Sequence, residues 1–161
     1  MTLKIEIGAR APDFKLEASN GERVKLSDFK GKNVVLFFYP KDMTPSCTTE
    51  ACDFRDRSDD FKGLNTVILG VSMDSIARHQ KFIEKYDLPF LLLADEDHKV
   101  AELYEVWQWK KLYGKEFMGI ERSTFVINKK GILVKEWRKL RVKNHVEEAL
   151  EYIRSHGSAK L

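Results

Sequence analysis

Apolar and polar residues alternate near the beginning of the chain and give way to longer apolar runs further on. Residues 14–16 and 24–26 alternate with a period of two on either side of Asn20 and Gly21. An Asn-Gly pair between two alternating segments is typical of a β-hairpin. The sequence therefore predicts a hairpin at the N-terminal end.

Three apolar runs predict central strands, because a strand that is covered on both faces is apolar throughout. The runs are residues 33–39, 66–73 and 89–95. A second hairpin is predicted near the end of the chain, where residues 123–128 and 132–137 flank a turn at Gly131.

The segments between these strands have helical character. The predicted helices are residues 44–62, 75–87, 98–106 and 142–156. In the last of them the apolar residues recur along a single helical stripe, which indicates an amphipathic helix. No strand or helix is predicted for residues 107–117, where Trp107 and Trp109 are expected to have a packing role.

The order of these elements is a hairpin, then alternating strands and helices, then a hairpin and a closing helix. Alternation of strands and helices predicts the α/β class, and the hairpins make the central sheet mixed. We expect a thioredoxin-like fold with helices flanking the sheet and an N-terminal β-hairpin extension. The 161 residues predict a single domain, 1–161, with a frayed tail at 156–161.

The composition excludes several classes of function. The formal net charge is +3, from 28 basic and 25 acidic residues that are scattered along the chain, so a nucleic-acid partner is not expected. The apolar runs are much shorter than the ~20 residues of a membrane helix, and no secretory signal is visible. We therefore expect a cytoplasmic protein, in which a cysteine pair is more often catalytic or metal-binding than structural.

The two cysteines of the chain, Cys47 and Cys52, follow the first central strand. Thr44 suits the N-cap of a helix and Pro45 its first position, which would place Cys47 in the first turn. Free backbone amides and the helix dipole favour an anion there, so we expect a reactive thiolate. The alternative is a small, buried and inert cysteine.

The spacing of the two cysteines excludes a permanent disulfide within an intact helix. Residues five apart in a helix have Cα atoms ~8.7 Å apart, whereas a disulfide needs less than about 7 Å. The spacing suggests instead a bond that is made and broken in a cycle. A zinc site would need two more ligands, and the four histidines are far apart in the sequence, so no metal is expected.

The stretch YPKDMTPSCTTEACDFRD, residues 39–56, resembles the active-site segment of peroxiredoxins, which contains Pro40, Thr44 and Cys47. The second cysteine resembles that of the two-cysteine branch called peroxiredoxin Q or bacterioferritin comigratory protein. The similarity extends over residues 11–40 and over residues 119–138, which contain an Arg-Ser-Thr-Phe segment.

The resemblance implies a thiol peroxidase with a thioredoxin-like fold and without a cofactor. Cys47 would be the peroxidatic cysteine, which peroxide oxidises to a sulfenic acid, and Cys52 the resolving cysteine. Arg122 would favour the thiolate and orient the peroxide, Thr44 would hydrogen-bond the sulfur or the peroxide, and Pro40 would shield the pocket from water.

The same resemblance implies the partners. Hydrogen peroxide and alkyl hydroperoxides would be the substrates, and thioredoxin or a similar dithiol would be the reductant. A monomer or a weak homodimer is expected. The alternatives are a general thiol-disulfide oxidoreductase and a peroxide sensor that is not an enzyme and relays its disulfide to another protein.

Overall fold

The computed structural model describes residues 5–156. The predicted tail, 156–161, lies outside the described residues apart from His156. The strands are β1 (Lys15–Ala18), β2 (Arg23–Lys25), β3 (Asn33–Phe38), β4 (Thr66–Ser72), β5 (Leu91–Ala94), β6 (Trp107–Leu112), β7 (Lys115–Ile120), β8 (Ser123–Ile127) and β9 (Leu133–Trp137). The helices are α1 (Pro45–Asp56), α2 (Ser58–Gly63), α3 (Ile76–Tyr86), α4 (Lys99–Leu103) and α5 (His145–His156), and a 3-10 helix spans Leu26–Phe29.

Seven strands form a single mixed sheet in the order β2-β1-β5-β4-β3-β8-β9. Strands β3, β4 and β5 are parallel, and the two hairpins, β1–β2 and β8–β9, add antiparallel strands at the two edges. The predicted α/β class, the mixed sheet and the N-terminal hairpin are confirmed.

The central strand β3 is buried along its whole length, as its continuous apolar run predicts. Because successive side chains of a strand point to opposite faces, Leu36 and Phe38 pack in one hydrophobic core. Phe37 and Tyr39 pack in the core on the other face. The candidates Pro40, Thr44 and Cys47 follow this strand, which contributes side chains to both cores.

Gly70 of β4 makes room for the aromatic packing on this second face. A Cβ atom at this position would lie 2.7 Å from Cδ2 of Leu92 and 2.8 Å from Cζ of Phe37. The absence of a side chain lets the Phe37 ring lie over β4, where it stacks on Phe54 of α1 with ring centroids 4.6 Å apart.

Two features differ from the sequence prediction. The predicted helix 44–62 is interrupted at Arg57, whose backbone leaves the helical conformation (φ −109°, ψ 6°), so α1 and α2 are separate helices. Strands β6 and β7, which were not predicted, form an antiparallel hairpin outside the main sheet. No helix in the described part of the chain is long and apolar enough to cross a membrane.

Candidate active site

Cys47 lies in the first turn of α1, just beyond the carboxyl end of β3. Thr44 is the N-cap residue with an extended backbone (φ −79°, ψ 155°), and Pro45 is the first residue of the helix. This is the arrangement that the sequence predicts. Cys47 is buried, with 2% of its surface exposed. Pro40 is half-buried and lies two residues after the end of β3.

The hydroxyl of Thr44 makes a different contact from that of a capping side chain. It donates to the backbone carbonyl of Lys41 at 2.9 Å, and no side-chain hydrogen bond caps the helix. Thr44 is therefore the N-cap residue, as predicted, although its side chain does not bond to a backbone amide of the helix. Since the hydroxyl proton is used by Lys41, its oxygen can only accept from a second partner.

Arg122, which lies far from Cys47 in the sequence, brings a positive charge to it. Strand β8 pairs with β3 so that Ser123 lies opposite Phe38, which places Arg122 beside the end of β3. Its Nη2 donates to the Cys47 sulfur at 3.2 Å. A guanidinium at this distance favours the ionised form of a thiol.

The same guanidinium also contacts Glu50. Nη1 of Arg122 donates to Oε1 of Glu50 at 2.6 Å, and the Glu50 side chain is fully buried. Burial raises the pKa of Glu50 to about 7, although Arg122 opposes this shift. No role at the site was predicted for Glu50 from the sequence. Its position three residues after Cys47, on the same helical face, was the available signal.

Two more ionisable groups face the same site. Lys110 of β6 was not predicted to be near Cys47. Burial and then the Arg122 charge lower the pKa of Lys110, while Cys47 and Glu121 oppose the shift. The second group is His145 of α5, and burial, followed by the Arg122 charge, lowers its pKa to about 4. Its Nε2 pairs with the hydroxyl of Thr124 at 2.8 Å.

Cys52 lies in α1, five residues after Cys47 and in the same continuous helix. Both cysteines are free thiols. Cys52 is half-buried, and burial raises its pKa, with Arg55 acting in the opposite direction. The intact helix keeps the two residues apart, as the spacing predicts.

The buried side chain of Asp42 anchors the loop between β3 and α1 through hydrogen bonds. One oxygen of Asp42 accepts from the hydroxyl of Tyr39 and the other contacts Nδ1 of His79 at 2.6 Å. The Asp42 backbone amide donates to Asp74 at 2.7 Å. Asp42, Asp74 and His79 lie close enough for a metal, but all three are engaged in hydrogen bonds within the protein.

Comparison with known proteins places the chain in a family. A family model described as the AhpC/TSA family matches residues 7–136. The chain belongs to this family. Peroxiredoxin Bcp of Bacillus subtilis (strain 168) is 62% identical over 152 residues, which are 94% of this chain and 97% of the relative. Peroxiredoxin Bcp of Escherichia coli (strain K12) is 40% identical over 153 residues, 95% of this chain and 98% of the relative.

Solved structures of peroxiredoxins confirm the thioredoxin-like fold. A mutant of PrxQ from Xylella fastidiosa superimposes with a TM-score of 0.90 at 34% identity, covering 96% of this chain and 98% of that one. The bacterioferritin comigratory protein of Xanthomonas campestris, studied for its alkyl peroxide reduction activity, gives a TM-score of 0.88 at 36% identity, covering 94% and 99%.

The predicted membership of the peroxiredoxin Q or Bcp branch is confirmed by these relatives. The protein is a thiol-dependent peroxidase, an oxidoreductase of a family that uses thioredoxin. Peroxides and a thiol reductant are the partners that the family implies.

Proposed function

We propose that this peroxidase reduces hydrogen peroxide and alkyl hydroperoxides at Cys47 and regenerates the thiol through a disulfide with Cys52. The observation that carries the proposal is the contact of 3.2 Å between Arg122 and the Cys47 sulfur, in the first turn of a helix. Two independent cationic influences, the guanidinium and the helix N-terminus, favour a thiolate at this position. The thiolate is the form of cysteine that attacks a peroxide.

In the first step the Cys47 thiolate attacks the terminal oxygen of the hydroperoxide. The O–O bond breaks, the OH group moves to sulfur as a sulfenic acid, and an alkoxide (hydroxide for hydrogen peroxide) leaves and takes up a proton. Arg122 stabilises the negative charge as it moves from sulfur to the leaving oxygen. The Thr44 oxygen accepts the hydrogen of the bound peroxide, and Pro40 covers the pocket.

In the second step the thiol of Cys52 condenses with the sulfenic acid, which gives a disulfide and water. The first turns of α1 must unwind for the two sulfur atoms to meet. Thioredoxin or a similar dithiol then reduces the disulfide by thiol-disulfide exchange. We place the cycle in the cytoplasm, where such dithiols are kept reduced, and expect a monomer or a weak homodimer to perform it within one chain.

The test is peroxide-dependent oxidation of NADPH through thioredoxin and thioredoxin reductase. Cys47→Ser should abolish turnover, because a hydroxyl cannot replace the thiolate. Cys52→Ser should still undergo one oxidation, which a sulfenic-acid reagent such as dimedone traps, but should lose recycling by thioredoxin. Turnover of Cys52→Ser at the wild-type rate would exclude Cys52 as the resolving cysteine.

A further inference from the structure

Cys47 and Glu50 are two acidic groups that share one cation. They lie one helical turn apart on α1, and the two terminal nitrogens of Arg122 contact them at 3.2 and 2.6 Å. The side chains of Cys47 and Glu50 are 2% and 0% exposed. Solvent therefore screens their mutual repulsion poorly.

With both acids ionised, this buried group would contain two anions and one guanidinium. Burying an unbalanced charge is costly, and one proton on either acid removes the imbalance. Oε2 of Glu50 has no hydrogen-bond partner among residues 5–156, so a full carboxylate there would lack a donor on one oxygen. Burial also raises the pKa of Glu50 to about 7 without any contribution from Cys47, and a thiolate one helical turn away raises this pKa further.

The surrounding charges do not supply a second partner for Glu50. Asp53, on the same helix, raises the pKa of Glu50 further. Lys110 from β6 interacts with the charges of Cys47 and Arg122 and has Glu121 beside it as a counter-charge. His145 from α5 is kept neutral, because burial and Arg122 lower its pKa to about 4. Arg122 thus remains the cation in direct contact with Glu50.

We propose that Glu50 holds a proton while Cys47 is a thiolate and releases it when Cys47 becomes a sulfenic acid. The inference rests on the proposed peroxidase chemistry. Oxidation replaces the thiolate with a neutral sulfenic acid, while the leaving alkoxide takes up one proton. Glu50 then gives up one proton and becomes the anion that balances Arg122. The buried group keeps one cation and one anion before and after the step.

Glu50 does not contact the peroxide. It acts through its contact with Arg122 and through the charge balance of the buried group, so it is a positioning residue. The consequence is that oxidation takes up almost no net proton from solvent where Glu50 is protonated beforehand. A carboxylate that only clamps Arg122 would stay ionised throughout, and each oxidation of a thiolate would then take up one proton from solvent.

The experiment counts protons during a single oxidation. Cys52→Ser stops the reaction at the sulfenic acid, and Glu50→Gln in the same background keeps an acceptor for Arg122 but cannot ionise. Both proteins are mixed with stoichiometric hydrogen peroxide and a pH indicator in weak buffer at about pH 8, above the pKa of about 7 that Glu50 has without any contribution from Cys47. Alkylation by iodoacetamide first shows that Cys47 is ionised at this pH. We expect uptake close to zero with Glu50 and close to one proton per chain with Glu50→Gln.

The pH dependence of Cys47 alkylation is a second test of the inference. In Glu50→Gln no carboxylate competes with Cys47 for the charge of Arg122. Alkylation of Cys47 in this variant should therefore follow a single ionisation, at a lower pH than in the protein with Glu50. In the presence of Glu50 the coupled acids should titrate in two steps. Equal proton uptake and identical profiles in the two proteins would overturn the inference.

An infrared difference spectrum between reduced and oxidised Cys52→Ser tests the same point without altering Glu50. A carboxylic-acid C=O band should disappear on oxidation, and an unchanged band would also overturn the inference. Failure of the proposed function is a separate outcome. In that case hydrogen peroxide would give no dimedone adduct at Cys47, whereas failure of this inference alone leaves the adduct intact.

Discussion

At the scale of single residues, Arg122 is the group on which the charge of the site depends. Its planar guanidinium donates to the Cys47 sulfur and to Glu50 at the same time. A lysine would bring the same charge but has a single nitrogen at its end, without the fork that contacts two partners. Two substitutions of Arg122 can therefore separate the effect of its charge from the effect of its hydrogen-bond geometry.

Arg122→Ala should slow oxidation of Cys47 by about 10- to 100-fold, the value of a charge-assisted hydrogen bond lost at the reacting atom. Alkylation of Cys47 should also require a higher pH, since the thiolate loses its cation. Arg122→Lys should restore part of the alkylation profile and less of the peroxide rate. Stopped-flow tryptophan fluorescence and iodoacetamide kinetics measure the two effects. An unchanged profile in Arg122→Ala would reduce Arg122 to a structural residue.

His145 should make the stability of the fold depend on pH. Its pKa is lowered from 6.5 to about 4 in the folded protein, so the unfolded chain binds a proton more readily. Stability from this residue is complete above pH 6.5 and declines as the pH falls toward 4, by up to about 3 kcal/mol. Glu50 acts oppositely: its raised pKa, about 7, adds stability as the pH falls from about 7 to 4.5.

The two contributions can be distinguished with His145→Gln, which keeps a donor for Thr124. Urea unfolding at about pH 7 and about pH 4.5 should show that the wild type loses more stability than the variant on acidification. Parallel changes in both proteins would mean that His145 is not the residue responsible.

The sequence alone predicts the helix start at Thr44 and Pro45 and the place of Cys47 in its first turn. Both depend on neighbouring residues: a strand, then a threonine and a proline. Arg122 was predicted through resemblance to a family, since a residue 75 positions away leaves no local signal. Glu50 shows why burial is hard to predict. A glutamate in a helix is usually solvated, whereas this one is fully buried and contacts Arg122 from a distant part of the chain.

At the scale of elements, α1 combines two roles that conflict. Its first turn holds Cys47 beside Arg122, yet the continuous helix separates Cys47 from Cys52. The helix is anchored further along by Phe54, which is fully buried and stacks on Phe37 with ring centroids 4.6 Å apart. Unwinding before Phe54 would give up a few backbone hydrogen bonds at roughly 1 kcal/mol each.

Oxidation should therefore unwind the first half of α1 and leave its anchor in place. We expect amides 48–53 to lose protection from hydrogen exchange in the disulfide form, while β3 and α5 keep theirs. Cys52→Ser treated with one equivalent of peroxide is the matched control, because its sulfenic acid has no partner and the helix should stay protected. Equal protection of 48–53 in the reduced and disulfide forms would contradict the mechanism.

The sequence correctly predicted those strands and helices that have one or both faces buried in the core. Strand β3 is the clearest case, because its apolar run reports burial directly. The hairpin of β6 and β7 was missed because it lies outside the main sheet and most of its residues are exposed. Trp107 stacks on His98 with ring centroids 4.0 Å apart, as a packing role requires. Trp109 is 71% exposed, so a packing role for it was wrong.

At the scale of the whole molecule, a buried polar network ties the active-site loop to the sheet and to α3. His79 has 0% of its surface exposed and lies between two acceptors, the Asp42 carboxylate at 2.6 Å and the carbonyl of Leu93 at 2.9 Å. A carbonyl only accepts, so Nε2 carries a proton. The same carboxylate accepts from Tyr39 at the end of β3.

This network is beyond sequence reasoning, because its members come from separate parts of the chain. Asp42 precedes α1, His79 lies in α3 and Leu93 lies in β5, and only the sheet order places β3, β4 and β5 side by side. Apolar runs predicted that these strands exist and are buried. They did not predict which polar side chains would meet at their carboxyl ends.

The structure predicts an asymmetry between the two members of the buried Asp42–His79 pair. His79→Leu leaves the carboxylate buried without its partner and should cost about 3–5 kcal/mol of stability. Asp42→Asn should cost only about 1 kcal/mol, because an amide can accept from Tyr39 and donate to a neutral imidazole. Adding Asp42→Asn to His79→Leu should then restore part of the lost stability, since the stranded charge is removed. Urea unfolding of the three variants measures these free energies. If the double variant is less stable than His79→Leu alone, the cost of His79→Leu comes from lost packing and not from a stranded carboxylate.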